Sequence, residues 1–251
     1  MHYTHVVGVL GAPDAGKTAA LVSLYLLLAN SKLGEFAFSD STSLMDFDRL
    51  SRGARKWTLG AMPEQMTGHT ELGDGRGPGF LHLRVRRRHG VYRKHDILLP
   101  DLPGEWTKQL IDKNVTSRLA FLRRADAFWV FVDGRRLADV STCNSAIHRT
   151  SLLFDRIRQF IDPTAAPPIF LVITRSDSYG ELPPGALERL RAGAADLGLT
   201  FEAVEIASFS NSTSVPAGAG LDRLLGQTLS PRAQPIPPAM PRLRNTRHVL
   251  R

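Results

Sequence analysis

Short, wholly apolar runs recur along this 251-residue chain, and between them apolar positions return at helical spacing. Residues 4–10 (Thr-His-Val-Val-Gly-Val-Leu), short, mainly apolar and bounded by glycine, read as a buried strand, and residues 127–132 (Ala-Phe-Trp-Val-Phe-Val) and 168–173 (Pro-Ile-Phe-Leu-Val-Ile) are continuous apolar runs, the pattern of strands covered on both faces. Residues 201–207 read as a last strand. Residues 18–30 carry leucine on every side, as a helix pressed onto a sheet does. Ile147, Leu153, Ile157 and Phe160/Ile161 line one face of a second helix. Residues 184–197, with proline at the start, predict a third, and residues 221–229 a short last one. Residues 79–99 alternate: Phe80, Leu81, Leu83 and Val85 run to a turn at His89-Gly90, and Val91, Tyr92, Ile97, Leu98 and Leu99 return, which is a hairpin signal. Between residues 31 and 79 the pattern is irregular. A structureless loop of that length is uncommon, and Leu44, Phe47, Leu50 and Trp57 predict local helix at 44–57.

Strands alternating with helices predict an α/β fold in three layers, a mostly parallel sheet with one antiparallel edge hairpin. One large domain, residues 1–229, fits the length, followed by a Pro/Arg-rich tail at 230–251 that should be extended. The composition, 43% apolar and 22% charged, is that of a globular protein. The single cysteine, Cys143, excludes an intrachain disulfide and fits a reducing cytosol. Neither a signal peptide nor an apolar stretch of about 20 residues is visible, so the expectation is a cytoplasmic protein that is not integral to a membrane. A net charge of +8 adds a further option, an acidic partner or nucleic acid. The basic hairpin at 84–94 and the basic tail would carry it, although charge on an edge hairpin is also a common defence against strand-to-strand association. With only Tyr92 nearby as a stacking aromatic, a single-strand binder is disfavoured. Eight histidines are scattered without ligand spacing, so no zinc site is expected.

The chemistry begins with Gly11-Ala-Pro-Asp-Ala-Gly16-Lys17-Thr18, a Gly-x4-Gly-Lys-Thr sequence between a strand and a helix. Such a loop turns backbone N–H groups inward around phosphate oxygens, among them those of Asp14, Ala15, Gly16 and Ala19. Lys17 would reach the β and γ phosphates, Thr18 would hold Mg²⁺, and the helix N-terminus would add its partial positive charge.

Downstream, Asp101-Leu-Pro-Gly104 follows an apolar strand and resembles the Asp-x-x-Gly of Ras-like GTPases. The resemblance implies that Asp101 holds Mg²⁺ and that the Gly104 amide senses the γ-phosphate. Thr174-Arg175-Ser176-Asp177 resembles the Asn/Thr-Lys-x-Asp motif of the same superfamily, with Arg175 where lysine is usual. Guanine offers two adjacent donors that the Asp177 carboxylate can accept, whereas adenine presents an acceptor at N1. Ala207-Ser208-Phe209 stands where the family places the loop whose backbone N–H contacts the guanine oxygen. The whole is similar to the Ras-like, translation-factor-related P-loop GTPases. The insert at 31–78, with Phe38-Ser-Asp-Ser-Thr42 after the first helix, resembles the bacterial double-GTPase domains linked to conflict and defence operons.

The resemblance implies a Mg²⁺-dependent switch between GTP and GDP, with the region around Thr67 and a loop at 104–112 ordered by GTP, and a protein effector or complex subunits as partners. The switch I threonine that should bind Mg²⁺ and take part in catalysis falls before the hairpin, which favours Thr67 over Thr70 and Thr42. The chain departs from the pattern at Glu105, where relatives carry a water-orienting Gln or His. Glu105 either orients water, against the repulsion of the γ-phosphate, or is a surface residue; either way intrinsic hydrolysis should be slow. Asp14 either helps seat a monovalent cation or faces solvent. The alternative to a switch is a nucleotide-dependent assembly or adaptor module with little turnover. An ATPase or kinase would require both downstream motifs to be accidents.

Overall fold

The structure, a computed structural model, describes residues 3–41, 79–89, 93–161 and 166–230. Among these residues the sheet has seven strands: β1 (Thr4–Gly11), β2 (Phe36–Asp40), β3 (Gly79–Arg87), β4 (Lys94–Asp101), β5 (Ala127–Asp133), β6 (Ile169–Thr174) and β7 (Phe201–Ile206). Their order is β2-β3-β4-β1-β5-β6-β7. β4, β1, β5, β6 and β7 pair in parallel, and β3 pairs antiparallel with both β4 and β2. The three-layer α/β fold read from the sequence is borne out, with one addition. The hairpin β3–β4 forms, but β2 lies outside it as the edge strand. Its five residues, Phe-Ala-Phe-Ser-Asp, are too short and too polar at one end to stand out from the glycine- and serine-rich stretch around them.

The helices are α1 (Lys17–Ala29), α2 (Gly104–Lys113), α3 (Gly134–Ala138), α4 (Val140–Arg158), α5 (Ala186–Asp196) and α6 (Leu221–Thr228), with a 3₁₀ turn at Ser117–Arg124. α1 and α6 pack on one face of the sheet, around Leu21, Leu24, Leu28, Trp129, Phe170 and Leu224. α2, α4 and α5 cover the other, around Trp106, Leu110, Phe128, Phe154, Leu171 and Leu190. Each buried leucine of α1 contributes about 2 kcal/mol of apolar transfer, which a helix this apolar can realise only against a sheet.

Residues 104–112, expected as a loop, form α2. Trp106, Leu110 and Ile111 return at helical spacing and are buried, while Glu105 and Lys113 complement the helix dipole at its two ends. α4 begins in the polar run Ser-Thr-Cys-Asn-Ser at residues 141–145. Asp139 caps it by accepting from the Ser141 N–H at 2.8 Å, and Cys143 is buried one turn later. The expected helix at 44–57, Thr67 with Thr42 and Thr70, the hairpin tip at Gly90–Tyr92 and the tail beyond Ser230 lie outside the described residues. Among the described residues no helix is long and apolar enough to cross a membrane.

Candidate nucleotide site

Parallel pairing sends the C-terminal ends of β1, β4, β5, β6 and β7 to one rim of the sheet, where ligands of open α/β folds gather. β1 runs into Gly11–Thr18, β4 ends at Asp101, β5 at Asp133, β6 at Thr174, and β7 leads into Ala207–Phe209. The motifs read separately in the sequence therefore share one edge.

The phosphate loop is held by its own backbone and by α1. Gly16 sits at φ 87°, a left-handed conformation that an L side chain resists, and is the residue before the helix. α1 has no capping side chain and no acid in its first turn, so its leading N–H groups keep their capacity for an anion. Lys17 is buried and donates from Nζ to the carbonyls of Gly11 at 2.9 Å and Ala12 at 3.0 Å. Burial lowers its pKa to about 8, while the carboxylates of Asp101, Glu105 and Asp14 act in the opposite direction. All three acids expected around the phosphates thus bear on this ammonium. Thr18 Oγ1 donates to Asp101 Oδ1 at 2.9 Å, which brings together the two oxygen donors expected from separate motifs.

α2 leans directly on this loop. A Cβ at Gly104 would stand 2.5 Å from Pro13 Cα and 2.7 Å from Pro13 N, so only glycine permits the approach. Thr107, wholly buried, accepts the Gly11 N–H at 3.4 Å. Glu105 lies between these two contacts, in the first turn of the helix, partly exposed.

The base loop is tied in from the other side. Thr174 is buried and donates to the Val132 carbonyl at 3.3 Å. Arg175 takes a left-handed φ of 62°, and its guanidinium reaches the Asp14 carbonyl at 3.1 Å and Asp133 Oδ2 at 3.4 Å. This arginine stands where lysine is usual in the motif, and the contacts it makes here are to the phosphate loop and β5. Asp177 is partly exposed and accepts from the Ser178 hydroxyl at 3.2 Å. Ser208 is buried, its carbonyl accepts from the Ser23 hydroxyl at 2.6 Å, and Phe209 packs against the α1 side of the core.

Among the described residues, Ser23, Thr107 and Asp133 also bear on this rim without belonging to a motif. Ser23 is the polar interruption of an apolar helix, and Asp133 directly follows an apolar strand, so both had a signal in the sequence. Thr107 had none beyond its place beside Trp106. Of the basic hairpin, Arg84 pairs with Asp96 at 2.7 Å and Arg88 donates to the Ser31 carbonyl at 2.8 Å, so both serve the sheet itself.

The model of one protein family, described as Double-GTPase 2, matches residues 5–230. The chain belongs to the Double-GTPase 2 family. It is thus a GTP-binding protein with a P-loop, as its motifs implied. No curated protein matches it. Among solved structures, the signal recognition particle receptor SRb-GTP/SRX complex of Chaetomium thermophilum is 15% identical at a TM-score of 0.48, covering 90% of this chain and 99% of that one. A nucleolar GTP-binding protein 1 of Plasmodium falciparum is 10% identical, TM-score 0.47, covering 91% and 86%. A GTP-binding protein of Sulfolobus solfataricus, solved in complex with GDP, is 13% identical, TM-score 0.44, covering 89% of this chain and 50% of that one.

Proposed function

We propose that this member of the Double-GTPase 2 family is a Mg²⁺-dependent switch that binds GTP and hydrolyses it slowly to GDP and phosphate. The carrying observation is the Arg175 guanidinium, which joins the base loop to the phosphate loop at Asp14, so that Asp177 and Lys17 address one and the same nucleotide. Asp177 accepts from the guanine N1–H and 2-amino group, and the Ser208–Phe209 backbone faces the guanine oxygen. The N–H groups of Asp14, Ala15, Gly16, Lys17, Thr18 and Ala19 surround the phosphates, and Lys17 turns from its carbonyl partners to the β and γ oxygens.

Thr18 and Asp101 are the residues that would hold Mg²⁺. The fit rests on their donor set, a hydroxyl and a carboxylate within 2.9 Å, which suits a hard cation that keeps several waters. Mg²⁺ would supply neutralisation of charge between the β and γ phosphates. Thr67 is proposed as the further Mg²⁺ ligand from an insert at 31–78 within a G domain spanning 1–229. The Gly104 N–H, which as the first residue of α2 has no intrahelical acceptor, would sense the γ-phosphate. Glu105 would orient water, and its charge is the reason for slow turnover. We place the protein in the cytoplasm on the strength of its single, buried thiol.

A second reading is supported by Glu105, whose carboxylate bears on Lys17 and would stand against the γ-phosphate. In that reading the nucleotide is structural, and the chain is an assembly or adaptor module that meets an effector or complex subunits with little turnover. Titration with GTP, GDP and ATP, together with Asp177→Ala, tests guanine recognition. Equal affinity for ATP and GTP, or an Asp177→Ala chain that keeps its GTP affinity, would sink that part. Single-turnover hydrolysis with Mg²⁺, with and without potassium, separates switch from module: phosphate release supports the switch, and none over hours supports the module. A potassium requirement would bring Asp14 into play as the ligand of a monovalent cation.

A further inference from the structure

Two residues beyond Asp177 the base loop carries Tyr179, a residue that no motif assigns. Its ring is folded back against the start of α3. A Cβ at Gly134 would stand 2.1 Å from Tyr179 Cε1 and 2.7 Å from Cζ, and 2.5 Å from the Thr174 carbonyl oxygen. The ring therefore fills the space that a side chain at 134 would take, and any residue larger than glycine would meet both ring and backbone. The ring also packs with the core on the α4 side of the sheet. Beyond the ring, the hydroxyl is buried without a well-formed hydrogen bond. Burial first, and then the neighbouring Glu205 carboxylate at the end of β7, raise the pKa of the phenol.

The neighbours of this ring decide what it can do. Gly134 follows Asp133, the partner of Arg175, and Thr174 opens the base loop itself. Within the loop the Ser178 N–H closes back on the Arg175 carbonyl at 2.8 Å, and the Ser176 N–H bonds the Ile206 carbonyl at 3.1 Å. These bonds leave Asp177 on a tight turn with an anchor before it, at Thr174–Ser176. After it, the anchor is the Tyr179 ring.

We propose that Tyr179, seated on Gly134, is a positioning residue for base recognition: it fixes the turn on which Asp177 presents its carboxylate to the base. The proposal rests on the assignment of Asp177 to guanine. The ring is the working part and the hydroxyl is not, because the ring makes the contact with Gly134 while the weak bond of the hydroxyl goes to Glu205, outside the base loop. A carboxylate that must accept two adjacent donors is sensitive to such fixing, since a small tilt lengthens one of the two bonds.

The test is nucleotide discrimination by the full chain, read as the affinity ratio of GDP to IDP, which lacks the 2-amino group, and of GDP to ADP. Tyr179→Phe should keep both ratios. Tyr179→Ala and Gly134→Ala should each lower the ratios by about tenfold or more, in line with one weakened hydrogen bond to a charged acceptor, while inorganic pyrophosphate still competes as in the parent chain. Thermal unfolding with and without pyrophosphate shows that each variant is folded. Unchanged ratios in Tyr179→Ala, with Asp177→Ala abolishing discrimination, would overturn the positioning role and leave the base assignment standing. If Asp177→Ala itself leaves the ratios unchanged, the base assignment fails, and the proposal fails with it. Loss of discrimination in Tyr179→Phe would overturn the statement that the ring alone suffices. Should Gly134→Ala fail to fold, the comparison of Tyr179→Ala with Tyr179→Phe decides.

Discussion

Replacing Gly104 with alanine should separate α2 from the phosphate loop. The new Cβ would stand 2.5 Å from Pro13 Cα and 2.7 Å from Pro13 N, both backbone atoms that cannot rotate aside. Ordinary carbon–carbon contact is about 3.5–4.0 Å, so the start of the helix has to retreat by about 1 Å. The Gly11 N–H to Thr107 hydroxyl bond, already 3.4 Å long, would not survive that shift. Overpacking of this kind costs about 1–3 kcal/mol of stability. The functional consequence is selective. A γ-phosphate bound by the Gly104 N–H loses a charged hydrogen bond, about 1.5–3 kcal/mol, whereas GDP never makes it. The affinity for a non-hydrolysable GTP analogue should therefore fall about 10- to 100-fold relative to GDP. Competition of each nucleotide against a fluorescent GDP measures the ratio, and thermal unfolding verifies that the variant is folded. A folded Gly104→Ala chain with the parent ratio refutes the reasoning, as does an equal loss of both nucleotides, which would place the defect in the phosphate loop alone.

Arg175→Ala removes the bonds to the Asp14 carbonyl and to Asp133 while Arg135 continues to pair with Asp133 at 3.1 Å, so GDP affinity should drop about tenfold with little change in melting temperature. Isothermal titration measures it, and an unchanged affinity would mean that the two loops are held together without the arginine. At the opposite end of the sheet, burial lowers the pKa of both His5 and His95, whose rings stand 5.8 Å apart; the His5 imidazole discourages charging of His95, Arg93 lowers both further, and Asp126 opposes at His5 and Asp96 at His95. The unfolded chain then binds more protons than the folded one below about pH 6.5, so stability should be greatest above that value and fall as the pH drops through the two lowered pKa values. Melting temperatures between pH 5 and 8 should show a shallower fall in a His5→Gln/His95→Gln chain, and identical slopes would exclude the pair as its source.

How much of this was legible in the sequence depended on how each element earns its place. The buried strands announced themselves because β5 and β6 are covered on both faces and must be apolar at every position. The phosphate loop was legible because its spacing is fixed by the backbone itself. β2 was not, since an edge strand of five residues needs apolar side chains on one face only. Nor was α2: its apolar positions are three residues in ten, and the Asp-x-x-Gly before it suggested a loop. For Arg175 the sequence located the residue but not its contacts, because a long side chain can reach either the base or the neighbouring loop. Tyr179 was invisible for another reason. Its significance comes from Gly134, forty-five positions earlier in the numbering, and nothing in either residue alone points to the other.

The contacts around residues 11–18 also bear on how a nucleotide could be felt beyond its own site. Pro13 carries α2 through Gly104, the Gly11 N–H holds Thr107, and the Asp14 carbonyl holds Arg175. Lys17 is bonded into the same few peptides, to the carbonyls of Gly11 and Ala12. Its pKa falls from 10.5 to about 8, a net penalty of about 3 kcal/mol on the charge, in which burial outweighs the attraction of Asp101, Glu105 and Asp14. Phosphate oxygens are better partners for an ammonium than carbonyls, so they would both relieve that penalty and free two carbonyls of the loop. The Ala12–Pro13 peptide, one of the two whose bonding would change, also carries α2, and the Asp14 carbonyl that holds the base loop lies two residues further on. A change at Lys17 need travel no further than one or two residues to reach either of them, and no longer pathway through the core is required.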